Sequence, residues 1–285
     1  MHPLDPFGFG QPGFRKHAAR FDPADLDRDL RGLVVAITGA NSGLGLAATR
    51  ALAARGATVW MLCRDLQKAE IARATAPGDT RIAQLDVSVR ASIAALAIPT
   101  PDVLVHNAGQ LASAYEAVEG LERTVATHVV GPWRLSRRLP AATTIWVTSG
   151  GMYTQKLDVA ALFAPPPAGA ASFDGVAAYA RCKRAQVVLA RRLGHHAMHP
   201  GWADSPGVAS SLPRFHRLTR GVLRTPDEGA DTIVWLAATR PSTPAFWFDR
   251  AVAPEHVLPW TRGAPADASA EEDALLARLA ALTGA

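Results

Sequence analysis

The chain alternates short apolar runs with longer segments in which apolar residues recur at helical spacing. Short apolar runs that end at glycine or polar residues are typical of strands buried on both faces of a parallel sheet. The pattern predicts six strands, at Leu33–Ile37, Thr58–Cys63, Arg81–Leu85, Val103–His106, Thr143–Thr148 and Ala197–His199.

Helices are predicted between these strands, at Leu44–Arg55, Leu66–Ala74, Leu121–Arg138 and Tyr179–Leu193. A last helix is expected over Ala274–Leu282, and Ser269 and Glu272 are spaced as a capping box ahead of it. Strands that alternate with helices imply right-handed βαβ connections. The sequence therefore predicts an α/β fold, a single doubly wound domain whose central parallel sheet is flanked by helices.

Segments without periodic patterning mark the boundaries of this domain. Residues 1–31 mix Pro, Gly, Phe and charges and are predicted to form an N-terminal arm, so residues 32–285 make up the domain itself. Residues 205–224 combine turn residues with apolar residues at helical spacing. That segment fits either a lid over a site or an ordered surface helix, and both interpretations stay open.

Composition narrows the class of protein. Of the 285 residues, 48% are hydrophobic and 19% are charged, as in ordinary globular domains. No apolar run approaches the roughly 20 residues of a membrane span, and the N-terminus lacks the apolar stretch of a secretory signal. We therefore expect a cytoplasmic protein with no membrane span. The net charge is +5, but the arginines are scattered, so no nucleic-acid partner is expected.

The first predicted strand leads into a glycine-rich turn at which a helix begins. Glycine lets the backbone turn sharply and approach a pyrophosphate, whose charge suits a helix N-terminus. A turn of this kind between a first strand and a helix indicates a dinucleotide site. The candidate cofactor-binding residues of the turn are Gly39, Asn41, Ser42, Gly43, Leu44 and Gly45.

The end of the second predicted strand discriminates between NAD and NADP. Enzymes that prefer NAD usually place an acidic residue there, which bonds the ribose 2′-hydroxyl. Here Cys63 holds that position and Arg64 follows it. A guanidinium can pair with a 2′-phosphate, which a carboxylate would repel. The sequence therefore predicts NADP as cofactor, while the next residue, Asp65, leaves NAD open.

Tyr179 and Lys183 are four residues apart on a predicted helix, so both side chains project from one face. A free tyrosine has a pKa of about 10 and is a poor base at neutral pH. A neighbouring ammonium and an oxidised nicotinamide favour the phenolate, which lets Tyr179 exchange a proton with a substrate oxygen. Ser149, at the end of the fifth predicted strand, could hold the same oxygen. An exposed helix face is the alternative explanation of this spacing.

These motifs occur in the order of the short-chain dehydrogenase/reductase family, which the chain resembles nearly end to end. The matching signatures are Thr38–Gly45, Asp86–Val87, His106–Gly109, Ser149, Tyr179 with Lys183, and Pro200–Gly201. The resemblance implies a Rossmann fold, with residues 32–285 as a dinucleotide-binding catalytic domain. Longer stretches are similar to the dehydrogenase/reductase member 12 branch, near the retinol-dehydrogenase-like enzymes; they are Val147–Met152, Met198–Val208, Glu228–Thr232 and Phe246–Arg250.

The resemblance also implies roles for the matching residues. Asp86 and Val87 would lie near the adenine, and Lys183 would bind the ribose hydroxyls beside the nicotinamide. The remaining residues that it implies for cofactor binding are Asn107, Ala108, Gly109, Tyr179, Pro200, Gly201 and Trp202.

One position departs from the family pattern. The family usually has an asparagine in the helix after the fourth strand, where it completes a proton relay with Ser, Tyr and Lys. The aligned residue here is His128. Histidine both donates and accepts hydrogen bonds, so the relay could survive in altered form or be weakened.

Two functions therefore stay open. The first is an NADP-dependent oxidoreductase that transfers a hydride between the nicotinamide and a moderately apolar carbonyl or alcohol, with Ser149, Tyr179, Lys183 and His128 as catalytic residues. The second is a non-catalytic NADP-binding sensor or partner-binding protein in which the relay has decayed. No metal site is predicted, because His195, His196 and His199 have no Cys or acidic neighbour in sequence. The sequence leaves homodimer formation open.

Overall fold

The computed structural model describes residues 6–165, 173–204, 216–217 and 219–284. Within these ranges the main sheet has eight strands. They are β1 Val34–Thr38, β2 Thr58–Cys63, β3 Thr80–Gln84, β4 Val103–His106, β7 Thr143–Val147, β8 His196–Met198, β9 Phe246–Phe248 and β10 Ala251–Val252. A separate antiparallel pair joins β5 Ala117–Val118 to β6 Leu121–Glu122.

The strand order of the main sheet is β10-β9-β8-β7-β4-β1-β2-β3. Neighbouring strands are parallel except for β9 and β10 at one edge. The chain leaves β1 in one direction to form β2 and β3, and then returns to place β4 on the other side of β1. The carboxyl ends of β1 and β4 therefore face a topological switch point, where such sheets open into a crevice. The prediction of a doubly wound α/β fold is confirmed.

Helices flank the sheet on both faces. Their bounds are α1 Gln11–Ala18, α2 Gly43–Ala53, α3 Leu66–Arg73, α4 Arg90–Ala95, α5 Arg123–Val125, α6 Gly131–Arg138, α7 Val159–Leu162, α8 Gly175–Arg192, α9 Pro226–Thr239 and α10 Pro265–Thr283. A π-helical turn, Ala126–Val130, joins α5 to α6. Shorter 3₁₀ turns lie at Pro6–Phe9, Pro23–Asp25, Gly150–Thr154 and Pro259–Thr261.

Capping residues explain where several helices begin. Asp174 caps α8, so this helix starts at Gly175 and Tyr179 lies in its second turn rather than at its start. Glu122 caps α5 from the end of β6, which delays the predicted helix by two residues. The predicted capping box at Ser269 is wrong, because α10 starts earlier, with Pro in its first turn.

The core lies on both faces of the sheet. In β7, Ile145 belongs to the apolar cluster beneath α2 and α9, whereas its neighbour Trp146 belongs to the cluster beneath α8 and α10. Because residues on both faces of a strand are buried, the parallel strands appear in the sequence as continuous apolar runs. Within the described residues, no helix combines the length and the apolar character that a membrane crossing requires.

The predicted N-terminal arm contains α1 and packs against the domain. The backbone N–H of Gln11 donates to the carbonyl of Val222 at 2.8 Å, and the ring of Phe9 lies 5.5 Å from that of Phe248 in β9. Most of the segment proposed as a lid, residues 205–215 and 218, lies outside the described residues. The lid therefore stays a prediction.

Candidate active site

A cavity of about 560 Å³ opens at the switch point between β1 and β4. Its lining includes seventeen of the residues predicted for the site: Gly39, Asn41, Ser42, Gly43, Leu44, Arg64, Asp86, Val87, Asn107, Ala108, Gly109, Ser149, Tyr179, Lys183, Pro200, Gly201 and Trp202. Two predicted residues, Gly45 and His128, do not line the cavity and lie behind its wall. The sequence motifs thus converge on one crevice.

Close approach of backbone segments explains the glycines of the turn after β1. Gly39 and Gly43 have φ angles of 65° and 51°, in the left-handed region that favours glycine. A Cβ atom at Gly45 would lie 2.5 Å from the carbonyl oxygen of Gly39 and 2.6 Å from the side-chain nitrogen of Asn107. Gly45 therefore supports the turn from behind by letting α2 begin tightly against it.

Thr38 joins the ends of the two central strands. Its hydroxyl donates to the carbonyl of Val105 at 3.2 Å and accepts from the backbone N–H groups of Asn107 and Ala108 at 3.0 and 2.9 Å. The Asn107 amide donates back to the carbonyl of Thr38 at 2.9 Å. Thr38 is thus a structural residue of the site, and its place at the end of β1 is the only sign of this role in the sequence.

The far end of the cavity carries Arg64 and Asp86. The Arg64 guanidinium is 66% exposed and lies 4.0 Å from the Asp86 carboxylate. Asp65 is engaged elsewhere: its carboxylate caps α3, accepting from the backbone N–H of Lys68 at 3.0 Å. Cys63 is buried beneath the glycine turn, and burial raises the pKa of its thiol to about 11. This end of the cavity thus presents one exposed guanidinium and no carboxylate from Asp65.

Tyr179 and Ser149 meet at the other end. Ser149 follows β7 and caps the 3₁₀ turn Gly150–Thr154, with its hydroxyl oxygen accepting from the backbone N–H of Gly151 at 3.3 Å. Burial raises the pKa of Tyr179 to about 12, and its hydrogen bond with Ser149 opposes this rise. Tyr179 therefore carries its phenolic proton at neutral pH in the protein alone.

Lys183 lies one turn of α8 beyond Tyr179, with its Nζ atom 5.2 Å from the centre of the tyrosine ring. The Nζ group donates to the carbonyl of Val147 at 2.9 Å. Burial lowers the pKa of Lys183 to about 7. In the protein alone burial disfavours the charged form of both groups, and the expectation that Lys183 together with an oxidised nicotinamide favours the phenolate stays a prediction.

His128 occupies the π-helical turn after α5 and is fully buried. Its Nε2 atom lies 2.9 Å from the carbonyl oxygen and 3.1 Å from the backbone nitrogen of Gln110, so its tautomer decides which of the two it bonds. The ring stands perpendicular to that of Tyr179, with 5.2 Å between centres. Burial lowers the pKa of His128 well below its usual value. The residue is thus a neutral ring packed behind Tyr179.

His195 and His196 are engaged in packing and hydrogen bonds near the sheet. The part of the chain that the structure describes holds no group of three His, Cys, Asp or Glu residues that could bind a metal ion. His195 instead accepts from the indole N–H of Trp146, and His196 from that of Trp247, each at 3.1 Å.

The residues of the cavity fit a nicotinamide dinucleotide. Gly39 and Gly43, at positive φ, leave backbone exposed at the start of α2, where a pyrophosphate is favoured. A Cβ atom at Gly39 would lie 3.0 Å from the Cα atom of Ala108, so the two strand ends form a close-fitting cradle. Tyr179 and Lys183 line the same cavity at its opposite end.

Comparisons with known proteins agree with this geometry. A sequence model of the short chain dehydrogenase family matches residues 33–152. The chain is 35% identical to dehydrogenase/reductase SDR family member 12 from Bos taurus, over 94% of this chain and 92% of that one. It is 31% identical to retinol dehydrogenase 12 from Bos taurus, over 72% of this chain and 73% of the other.

A solved structure of an uncharacterised protein from Mycobacterium paratuberculosis superposes with a TM-score of 0.67 at 23% identity, covering 87% of this chain and 94% of the other. At that identity the superposition shows the fold alone. The match to the bovine SDR family member 12 extends over most of both chains, and together with the family model it assigns the chain to a family. The chain belongs to the short-chain dehydrogenase/reductase family, whose members are oxidoreductases that bind NAD or NADP.

Proposed function

We propose that this chain is an NADP-dependent oxidoreductase that reduces a moderately apolar carbonyl compound or oxidises the corresponding alcohol, with Tyr179 as general acid/base. The observation that carries the proposal is the placement of Tyr179. It lines the same cavity as Ser149 and the glycine turn, and the Nζ atom of Lys183 lies 5.2 Å from the centre of its ring.

A bound nicotinamide cofactor supplies or accepts the hydride. The chain's own residues handle the proton: in the direction of reduction, the Tyr179 hydroxyl donates its proton to the substrate oxygen. Burial holds the pKa of Tyr179 near 12, so the phenol carries that proton at neutral pH. The Ser149 hydroxyl, which lines the same cavity, holds the substrate oxygen within reach of Tyr179.

Lys183 serves a different purpose in this proposal. Its amine lies beside the Tyr179 ring and lines the cavity, where it can bind the ribose hydroxyls of the cofactor. With a pKa of about 7, it can donate hydrogen bonds both as ammonium and as neutral amine. Its bond to the carbonyl of Val147 fixes its position.

The preference for NADP rests on the end of β2. Arg64 lines the cavity with an exposed guanidinium, the group that pairs well with a 2′-phosphate. Asp65, which left NAD open on sequence grounds, has its carboxylate engaged as the cap of α3 and paired with Lys68 at 3.5 Å. Asp65 is absent from the cavity lining, and the carboxylate that lies beside Arg64 is that of Asp86.

The nature of the substrate is inferred from the cavity wall. Leu111, Val176 and Trp202 line the cavity together with Tyr179, so the substrate meets apolar side chains beside the proton donor. The name of the bovine retinol dehydrogenase, a relative of this chain, describes an enzyme for an apolar alcohol. Both observations favour a moderately apolar carbonyl or alcohol.

The test is NADPH turnover against a panel of aldehydes, ketones and quinones, repeated with Tyr179→Phe. This change removes the hydroxyl and keeps the ring, so NADPH binding should persist while turnover falls by about 10² to 10⁴. Tyr115→Phe is the matched control, because Tyr115 does not line the cavity. Full activity of Tyr179→Phe would refute the mechanism. NADPH binding without turnover of any compound would favour the non-catalytic alternative.

A further inference from the structure

One wall of the cavity depends on parts of the chain that are remote in sequence. Residues 200–203 line the cavity, and Pro200 and Ala203 pack with Leu44 around Gly229. The backbone N–H of Trp202 donates to the carbonyl of Phe9 at 2.7 Å, and the carbonyl of Trp202 accepts from the N–H of Arg224 at 2.8 Å. Ala203 forms a parallel bridge with Arg224. The wall is therefore held between the N-terminal segment and the stretch that leads into α9.

The Arg224 side chain is the centre of this arrangement. It is 1% exposed, and both terminal nitrogens bond the Asp249 carboxylate, at 2.6 and 2.8 Å. The same guanidinium donates to the carbonyl of Pro200 at 3.2 Å in the wall. It also donates to the carbonyls of Gly8 and Gly10 at 3.1 and 3.3 Å in the N-terminal segment. One buried cation thus ties three segments together.

The backbone of the wall is shaped around that cation. Gly201 has a φ angle of 73°, and a Cβ atom there would lie 2.5 Å from Arg224 Nε and 2.5 Å from the carbonyl oxygen of Phe9. The space at this position therefore admits only glycine, between the guanidinium and the N-terminal segment. Any displacement of Arg224 must move the Pro200–Gly201 peptide, because close-packed interiors transmit strain.

The N-terminal segment adds aromatic support from the same side. The Phe9 ring lies 5.9 Å from Trp202, 5.2 Å from His199 and 5.5 Å from Phe248. His17 reaches the Asp249 carboxylate at 2.6 Å, so helix α1 contacts the acidic partner of Arg224 as well. The segment thus contacts the wall both through rings and through the buried ion pair.

We infer that residues 8–17 and Arg224 form a brace that positions the Pro200–Ala203 wall for cofactor binding, with Arg224 as the central positioning residue. Buried pairs of this kind contribute little net stability over apolar residues, but they fix geometry when every donor is bonded. Here the donors bond the wall and the N-terminal segment in addition to Asp249. The inference rests on the proposed function only in that NADPH serves as the bound cofactor.

A second buried arginine provides a matched control. Arg250 is 9% exposed, bonds the Asp231 carboxylate twice at 2.8 and 2.6 Å, and stacks over Phe21 of the N-terminal segment at 4.2 Å. It resembles Arg224 in burial and pairing, and it has no bond to the cavity wall among its described contacts. Arg224→Lys and Arg250→Lys both keep the charge and lose the paired geometry of a guanidinium with a carboxylate.

The experiment compares the two variants by hydrogen exchange and by NADPH titration. For Arg224→Lys we expect faster exchange of the Trp202 and Asp204 amides, whose acceptors are Phe9 and Arg224, and an NADPH affinity lower by about tenfold. For Arg250→Lys we expect a similar loss of thermal stability, with exchange at these amides and NADPH affinity unchanged. Equal behaviour of the two variants in both measurements would overturn the inference.

A second pair of variants keeps the test decisive if Arg224→Lys does not fold. Phe9→Ala removes the ring that contacts Trp202, whereas Phe21→Ala removes a ring of the same segment that contacts Phe14 and Arg250. Only Phe9→Ala should loosen the Trp202 and Asp204 amides, and identical exchange in the two variants would overturn the inference. Exchange is measured in the protein alone, so a missing carbonyl turnover would count against the proposed function and not against the brace.

Discussion

Two parts of the cavity lining are built in different ways. At the glycine turn, residues 38–45 meet residues 105–109, and hydrogen bonds join the turn to the ends of the neighbouring strands β4 and β2. The wall at residues 200–203 is instead held by Arg224, whose guanidinium bonds the carbonyl of Gly10, 214 residues away in sequence. The glycine turn depends on neighbouring strands, whereas the wall depends on long-range contacts.

This difference separates two ways of binding a cofactor. A glycine turn binds the cofactor through its backbone, which any side chain would obstruct. Its fit therefore depends on the absence of side chains. A braced wall depends on side chains that must all be present: Arg224, Asp249 and Phe9. Substitutions in the glycine turn should therefore weaken cofactor binding by adding atoms. Substitutions around the 200–203 wall should weaken it by removing atoms.

Gly45→Ala should have the largest effect at the glycine turn. The added Cβ atom would lie 2.5 Å from the Gly39 carbonyl oxygen and 2.6 Å from the Asn107 side chain, both locked by hydrogen bonds. Overpacking of this kind costs about 1–3 kcal/mol, so we expect NADPH affinity to fall by up to about 100-fold in a fluorescence titration. Gly221→Ala is the control, because a Cβ atom there meets open space. A folded Gly45→Ala protein with full NADPH affinity would contradict the close-fit account.

Arg64→Ala should have a smaller and more selective effect. A charge-assisted hydrogen bond contributes about 1.5–3 kcal/mol, which corresponds to a loss of roughly 10- to 100-fold in NADPH affinity. NADH has no 2′-phosphate, so its affinity should stay the same. Arg73→Ala, which removes an exposed arginine of α3 outside the cavity, serves as control. Equal losses for NADPH and NADH would show that Arg64 does not select the cofactor.

The same difference decides how much the sequence could reveal. The strands β1 to β4 and the glycine turn were predicted because their patterns are local: an apolar run, then glycines, then a helix. The strands β9 and β10 were missed because they are short and turn residues precede them. Arg224 was taken for one of several scattered arginines, since nothing near it in sequence indicates that Asp249 and the N-terminal carbonyls surround it.

The catalytic end shows a second limit of sequence reasoning. The spacing of Tyr179 and Lys183 predicts that both project from one face of a helix, and in the structure both side chains line one cavity. The spacing carries no information on burial, which raises the pKa of Tyr179 and lowers that of Lys183. The position of His128 behind Tyr179 depends in the same way on the π-helical turn, which sequence patterning does not indicate.

Lys183 lines the cavity beside Tyr179, and its burial leads to a prediction about stability. Its pKa falls from 10.5 to about 7 in the folded protein, so between these values the unfolded chain holds more protons. The stability of the wild-type protein therefore rises with pH across this window, because a buried ammonium is costly and a buried neutral amine is less so. Lys183→Met lacks this group and should lack this part of the pH dependence.

We expect Lys183→Met, without cofactor, to unfold at least a few degrees above the wild-type protein at about pH 6, with the gap narrowing above pH 7 and closing only near pH 10.5. The carbonyl of Val147 loses its donor in the variant, which offsets part of the gain equally at every pH. Thermal unfolding of both proteins across this range measures the difference, and the other titrating groups are common to both. A difference in stability that did not change with pH would mean that Lys183 stays charged inside the fold. In that case its ammonium could stabilise the phenolate of Tyr179 even before the cofactor binds.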